Sequence, residues 1–94
     1  MRMAKSVHVE ITGRVQGVGY RAWCEEEARG LGLSGWVRNR RSGAVEAVFS
    51  GEPEAVDAML QKAEEGPPCS HVGKVDILGE VESYDSEFEV RPTE

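Results

Sequence analysis

Residues 13–21 read GRVQGVGYR, and the fold turns on what this stretch joins. Before it, Val7, Val9 and Ile11 alternate with His8, Glu10 and Thr12, the period-2 signature of a strand with one buried face. After it, Tyr20, Cys24, Ala28 and Leu31 recur at helical spacing, Glu25 stands four residues before Arg29, and Gly30 and Gly32 offer a stop. A strand ending near Gly13 therefore passes through a glycine-punctuated loop into a helix over 20–29. Such a junction suits an anion, because a helix start carries unpaired N–H groups and about half a positive charge. Glycines at 13, 17 and 19 reach positive φ cheaply, which lets backbone N–H groups turn inward around a small ion. Arg21 in the first helical turn opposes the macrodipole by about 0.3–1 kcal/mol and calls for a negative neighbour. The same residues also suit an ordinary turn with a solvated arginine, and spacing alone does not choose. No Lys-Ser or Lys-Thr follows Gly19 and the glycine spacing is not G-x-G-x-x-G, so neither familiar nucleotide loop is present.

Further along, residues 33–40 and 44–50 read as two strands, with Arg41, Ser42 and Gly43 turning the chain between them and Asn39 near a strand end. Glu52, Pro53 and Glu54 open a second helix, whose apolar stripe is Ala55, Val56, Met59, Leu60 and Ala63, and Gly66, Pro67 and Pro68 end it. A fourth strand is expected over 72–78 with Val75 and Ile77 on one face, and 88–91 offers a short last strand at an edge. The order β-α-β-β-α-β is the ferredoxin-like, split βαβ arrangement: an α+β sandwich in which two right-handed crossover helices cover one face of an antiparallel sheet. The polar stretch 80–87 reads as an acidic loop.

Ninety-four residues suffice for one domain with a single core. No apolar run approaches the roughly 20 residues that cross a bilayer and no leader-like apolar segment opens the chain, so no membrane partner is expected and the cytoplasm is the expected compartment. Cys24 and Cys69 lack metal or redox spacing, so reduced thiols and no metal are expected. The net charge of −6 argues against a nucleic-acid partner but is unevenly spread: up to Gly43 there are eight Lys/Arg against four Asp/Glu (+4), and from Ala44 onward three against thirteen (−10). If the glycine loop and the segment carrying Arg38, Arg40 and Arg41 meet in space, they form a basic pocket on an acidic body. The absence of a long apolar patch outside the expected core favours a monomer.

Together, GRVQGVGYR, GLGLSGWVRN at 30–39, SGAVEAVFSG at 42–51, EEGPP at 64–68 and the closing FEVRPT resemble the acylphosphatases in order and separation over nearly the whole chain. The resemblance implies one acylphosphatase-like domain over 1–94. It implies hydrolysis of acyl phosphates to a carboxylate and inorganic phosphate with no metal or cofactor, on a small-molecule substrate. It also implies that Arg21 and Asn39 are the catalytic pair. Backbone N–H groups of the loop, Arg14, Val15, Gln16, Gly17, Val18, Gly19 and Tyr20, are then expected to bind the phosphoryl group. Tyr20 stands where phenylalanine is common in that family, and the Arg40–Arg41 turn is more basic than usual.

The chemistry needs such groups. The carboxylate of a mixed anhydride leaves readily, so the protein must hold the phosphoryl group, neutralise its oxygens and place a water in line. An arginine fork matches two phosphoryl oxygens, and a carboxamide both accepts from and donates to water. Taken singly, Asn39 suits a turn, His8 and His71 have no catalytic partner in spacing, Glu25, Glu26 and Glu27 read as a solvated helix face, and Trp23 and Trp36 read as packing residues. A non-catalytic phosphate-binding module on the same fold is the alternative. An RNA-binding role would require sheet-face aromatics on a basic body. The end of the chain soon after the last family strand argues against a segment of a larger carbamoyl-transfer protein.

Overall fold

The computed structural model describes residues 4–94. Val7, Val9 and Ile11 are at most 2% exposed on one face of strand β1 (Lys5–Arg14), as the alternation requires. Helix α1 (Tyr20–Gly30) buries Tyr20, Cys24 and Ala28, the stripe read from the sequence. Strands β2 (Ser34–Asn39) and β3 (Val45–Gly51) form the expected hairpin, with Asn39 opposite Val45 at its closed end. Helix α2 (Pro53–Glu65) starts on its proline and buries Val56, Met59 and Ala63. Strand β4 (His71–Glu80) and the two-residue strand β5 (Glu89–Val90) complete the order.

The sheet runs β4-β1-β3-β2-β5. Strand β1 pairs antiparallel with β3 and β4, and β2 with β3. Strand β5, however, pairs parallel with β2, Trp36 opposite Glu89 and Val37 opposite Val90, so the expected antiparallel sheet is mixed. Chain path explains the difference. Strand β4 ends at the edge of the sheet away from β5, beside the start of β1, and the following segment must cross to the opposite edge. It is tied to the sheet on the way, Val81 N–H donating to the Ser6 carbonyl (3.1 Å) and Tyr84 N–H to Ser50 Oγ (3.0 Å). It arrives where β2 begins and can only run alongside it. Arg91 N–H then reaches the Val37 carbonyl (2.9 Å) and Glu94 N–H the Asn39 carbonyl (3.0 Å), which carries the final residues to the closed end of the hairpin.

Between the sheet and the helices, Val37, Val45, Ala47 and Phe49 join the β1 valines, and Phe88 stacks on Phe49 at 5.8 Å. Each fully buried large apolar side chain contributes about 1.5–3 kcal/mol. On edge strand β4, Val75 packs against this core but Ile77 stays 58% exposed and Leu78 54%, so the expected shared face of Val75 and Ile77 is only half covered. The β1–β4 register slips between His8 and Val9, which bends this end of the edge strand.

The sheet face away from the helices carries polar and aromatic groups. Glu46 accepts from Arg38 Nε (2.7 Å) and Arg40 Nη1 (3.3 Å), and its other oxygen lies 2.5 Å from His8 Nε2. Burial raises the Glu46 carboxyl pKa, but the hydrogen bonds from Arg38 and His8 outweigh it and hold the group below the usual range. Trp36, 7% exposed, lies under the guanidinium groups of Arg38 and Arg91, each 4.8 Å from its ring centre. Both cysteines are unbridged, Cys24 buried and Cys69 exposed. Among the described residues no helix is long and apolar enough to cross a membrane.

Candidate active site

The loop from β1 into α1 is shaped by two glycines. Gly17 (φ 74°) and Gly19 (φ 80°) occupy the left-handed region, where an L side chain is strained even though the space beside each is open. Gly13 also takes a positive φ (120°), as expected, and is required for a second reason: a Cβ there would collide with the His71 carbonyl, so this glycine also admits the neighbouring strand. Gly19 is the N-cap of α1, supplies no capping side chain, and no acid stands in the first turn. The first N–H groups of the helix are thus left to an outside acceptor.

These groups open onto a cavity of about 350 Å³ lined by Val15, Gln16, Gly17, Gly19, Tyr20, Arg21, Ala22, Glu25, Asn39 and Val90. Arg21 is the one cation in that lining, and among the described residues no carboxylate or hydrogen-bond acceptor pairs with it. Asn39 reaches the same cavity from the end of β2, eighteen positions further along the chain. Its Oδ1 is shielded from solvent and no protein donor reaches it. An amide oxygen beside the cavity with no protein donor keeps its acceptor capacity for a molecule bound there.

Of the loop residues expected to bind phosphate, Val15, Gln16, Gly17, Gly19 and Tyr20 line the cavity and Arg14 and Val18 do not. Arg14 is exposed at the end of β1 opposite His71, and Val18 packs against the core. The Tyr20 ring points inward: it is 1% exposed, its hydroxyl donates to the Ala63 carbonyl (2.8 Å), and burial drives its pKa far up. Trp23 packs edge-on against it at 5.2 Å.

The basic cluster at 38–41 does not join the pocket. Arg38 and Arg40 are held on the helix-free face by Glu46, Arg38 also by Glu94 (2.7 Å), and Arg41 is exposed. Both acids belong to the acidic segment from Ala44 onward, so the charges of Arg38 and Arg40 are met in space by that segment. Three lining residues were not read from the sequence. Ala22 was legible, since a helix starting at Tyr20 leaves its N–H unpaired. Glu25 was legible as the residue one turn beyond Arg21. Val90 was not, because its place depends on a two-residue parallel pairing.

The Acylphosphatase family model matches residues 7–90. The chain is 52% identical over 92 residues to an acylphosphatase of Azorhizobium caulinodans, covering 97% of this chain and 99% of the relative. Its fold superposes on an acylphosphatase structure from Coxiella burnetii with a TM-score of 0.88 at 37% identity, covering 94% of this chain and 93% of that one. It also superposes on a structure of full-length HypF in a phosphate- and nucleotide-bound form, with a TM-score of 0.87 at 27% identity over 99% of this chain but only 12% of that one. With the glycine loop, the unpaired arginine and the strand-end asparagine meeting in one cavity of this fold, the chain belongs to the acylphosphatase family.

Proposed function

We propose that this chain hydrolyses the carboxyl-phosphate bond of small acyl phosphates, with Arg21 and Asn39 as the catalytic pair. N–H groups of residues 15–20 surround the phosphoryl oxygens, and the Arg21 fork takes two of them, an interaction that strengthens as charge shifts in the transition state. Asn39 Oδ1 accepts a hydrogen bond from the attacking water, and its Nδ2 donates to a phosphoryl oxygen. Water attacks phosphorus, the P–O bond to the acyl group breaks, the carboxylate departs, and a phosphoryl oxygen takes the proton. Neither a histidine nor a covalent phospho-enzyme is needed, and the positive charge comes from Arg21 and the helix start.

The observation that carries this reading is the convergence of an unpaired guanidinium and an unpaired carboxamide oxygen on one cavity at a helix N-terminus. Benzoyl phosphate turnover by wild type, Arg21→Ala and Asn39→Ala tests it. Each substitution is expected to lower turnover by at least ~10²-fold, the loss typical of a positioned transition-state donor, and EDTA is expected to change nothing. Wild-type protein that binds phosphate without turnover would leave the non-catalytic binding module in its place.

The reading further takes residues 1–94 as a single domain acting as a cytoplasmic monomer. Two unbridged thiols and a cavity completed within one chain support it, and sedimentation at micromolar concentration tests the monomer.

A further inference from the structure

Gln16 contributes more than its backbone to this site. Its side chain leaves the phosphate loop and donates both amide hydrogens across to the β2–β3 hairpin, to the Arg40 carbonyl at 2.7 Å and the Ala44 carbonyl at 2.8 Å. Those two residues close the hairpin turn, Arg40 N–H also reaching the Ala44 carbonyl at 2.8 Å. Arg40 directly follows Asn39. Among the described residues, these are the only hydrogen bonds that join the loop to the hairpin. On its other side the Asn39 backbone is held by Glu94 N–H. The strand end that presents Asn39 is therefore gripped from one side by the last residue of the chain and from the other by the loop that faces the anion.

We propose that Gln16 is a positioning residue that fixes the distance between the phosphate loop and Asn39, and so sets where the attacking water sits relative to phosphorus. The inference rests on the reading of Asn39 given above. Glutamine fits the task because one NH₂ group supplies two donors at the end of a side chain long enough to bridge the gap. A misplacement of about 1 Å in a reacting group costs up to about 10²-fold in rate. The loop N–H groups and Arg21, by contrast, keep their own geometry when the side-chain amide is lost. Gln16 thus governs the catalytic step more than phosphate affinity.

Three variants test this. Gln16→Met keeps length and removes both donors; it is expected to lower kcat by about ten- to a hundred-fold while the inhibition constant for orthophosphate moves less than about three-fold. Gln16→Glu has no donor when ionised and regains one O–H when protonated. Its activity relative to wild type at the same pH is expected to rise as pH falls through the carboxyl range, about 4 to 6, and Gln16→Met is expected to show no such rise. In an Asn39→Ala background, Gln16→Met is expected to add less than about two-fold, because the two residues act on one step. Parallel loss of kcat and phosphate affinity in Gln16→Met, a flat pH ratio for Gln16→Glu, or a full additional loss on top of Asn39→Ala would overturn the inference while leaving the catalytic pair intact. Near-normal turnover by Asn39→Ala alone would instead overturn the water-aiming reading, and with it the route through which Gln16 acts.

Discussion

The Tyr20 hydroxyl donates a 2.8 Å hydrogen bond to the carbonyl of Ala63, which joins the first residue of α1 to the last turn of α2. The bond answers a particular deficit. In a helix the Ala63 carbonyl would accept from the residue four positions on, and that residue is Pro67, which has no N–H. Tyr20→Phe leaves this buried acceptor unpaired and is expected to cost about 1–3 kcal/mol. In a domain of this size that lowers the melting temperature by roughly 4–8 °C per kcal/mol, read by calorimetry. An unchanged melting temperature would show that water replaces the hydroxyl at no cost.

Two glycines at the two ends of α1, the N-cap Gly19 and the last residue Gly30, are expected to respond in opposite directions to alanine. Gly19, at φ 80°, has open space around it, so Gly19→Ala meets only backbone strain, about 1–2 kcal/mol, and distorts the loop that lines the cavity. Gly30 ends the helix at negative φ with nothing within 4 Å of a Cβ. Gly30→Ala is expected to stabilise by about 0.4–1 kcal/mol through the unfolded chain. Urea denaturation measures both, and a destabilised Gly30→Ala would contradict the backbone argument.

The acid Glu46 gathers His8, Arg38 and Arg40 on the helix-free face and is held below the usual carboxyl range in the folded protein. A depressed folded-state pKa contributes stability that is present above the unfolded value, about 4.3, and is lost as pH falls through the folded value. The stability difference between wild type and Glu46→Gln is therefore expected to be largest near neutrality and to shrink below pH 4. A difference independent of pH between 2 and 7 would show that Glu46 contributes through packing alone.

Where structure was legible in the sequence, a period or a fixed offset carried it. Val7, Val9 and Ile11 gave the buried face of β1, Tyr20, Cys24 and Ala28 the buried stripe of α1, and Gly17 and Gly19 the left-handed turns between them. Arg21 and Asn39 rested on the family resemblance, since a lone arginine at a helix start and a lone asparagine at a strand end have ordinary local uses. What escaped was non-local. Strand β5 is two residues long, too short for any period, and its parallel pairing follows from the path of the chain across the sheet. The carboxylate partner of His8 is not legible at local spacing because Glu46 lies thirty-eight positions away. The arginines at 38 and 40 looked like part of the pocket because sequence distance to Asn39 hides the alternation that sends Arg38 to the opposite sheet face, where Glu46 holds both.

At the centre stands the claim that one phosphoryl group is held between the 15–20 loop and the Arg21 guanidinium with Asn39 facing it. A crystal structure of the protein with orthophosphate tests this most directly. The expected result is an ion within hydrogen-bond distance of loop N–H groups and of both Arg21 terminal nitrogens, with the Asn39 carboxamide beside it. Phosphate bound elsewhere on the molecule, or seated in the loop with Arg21 turned away, would contradict the claim.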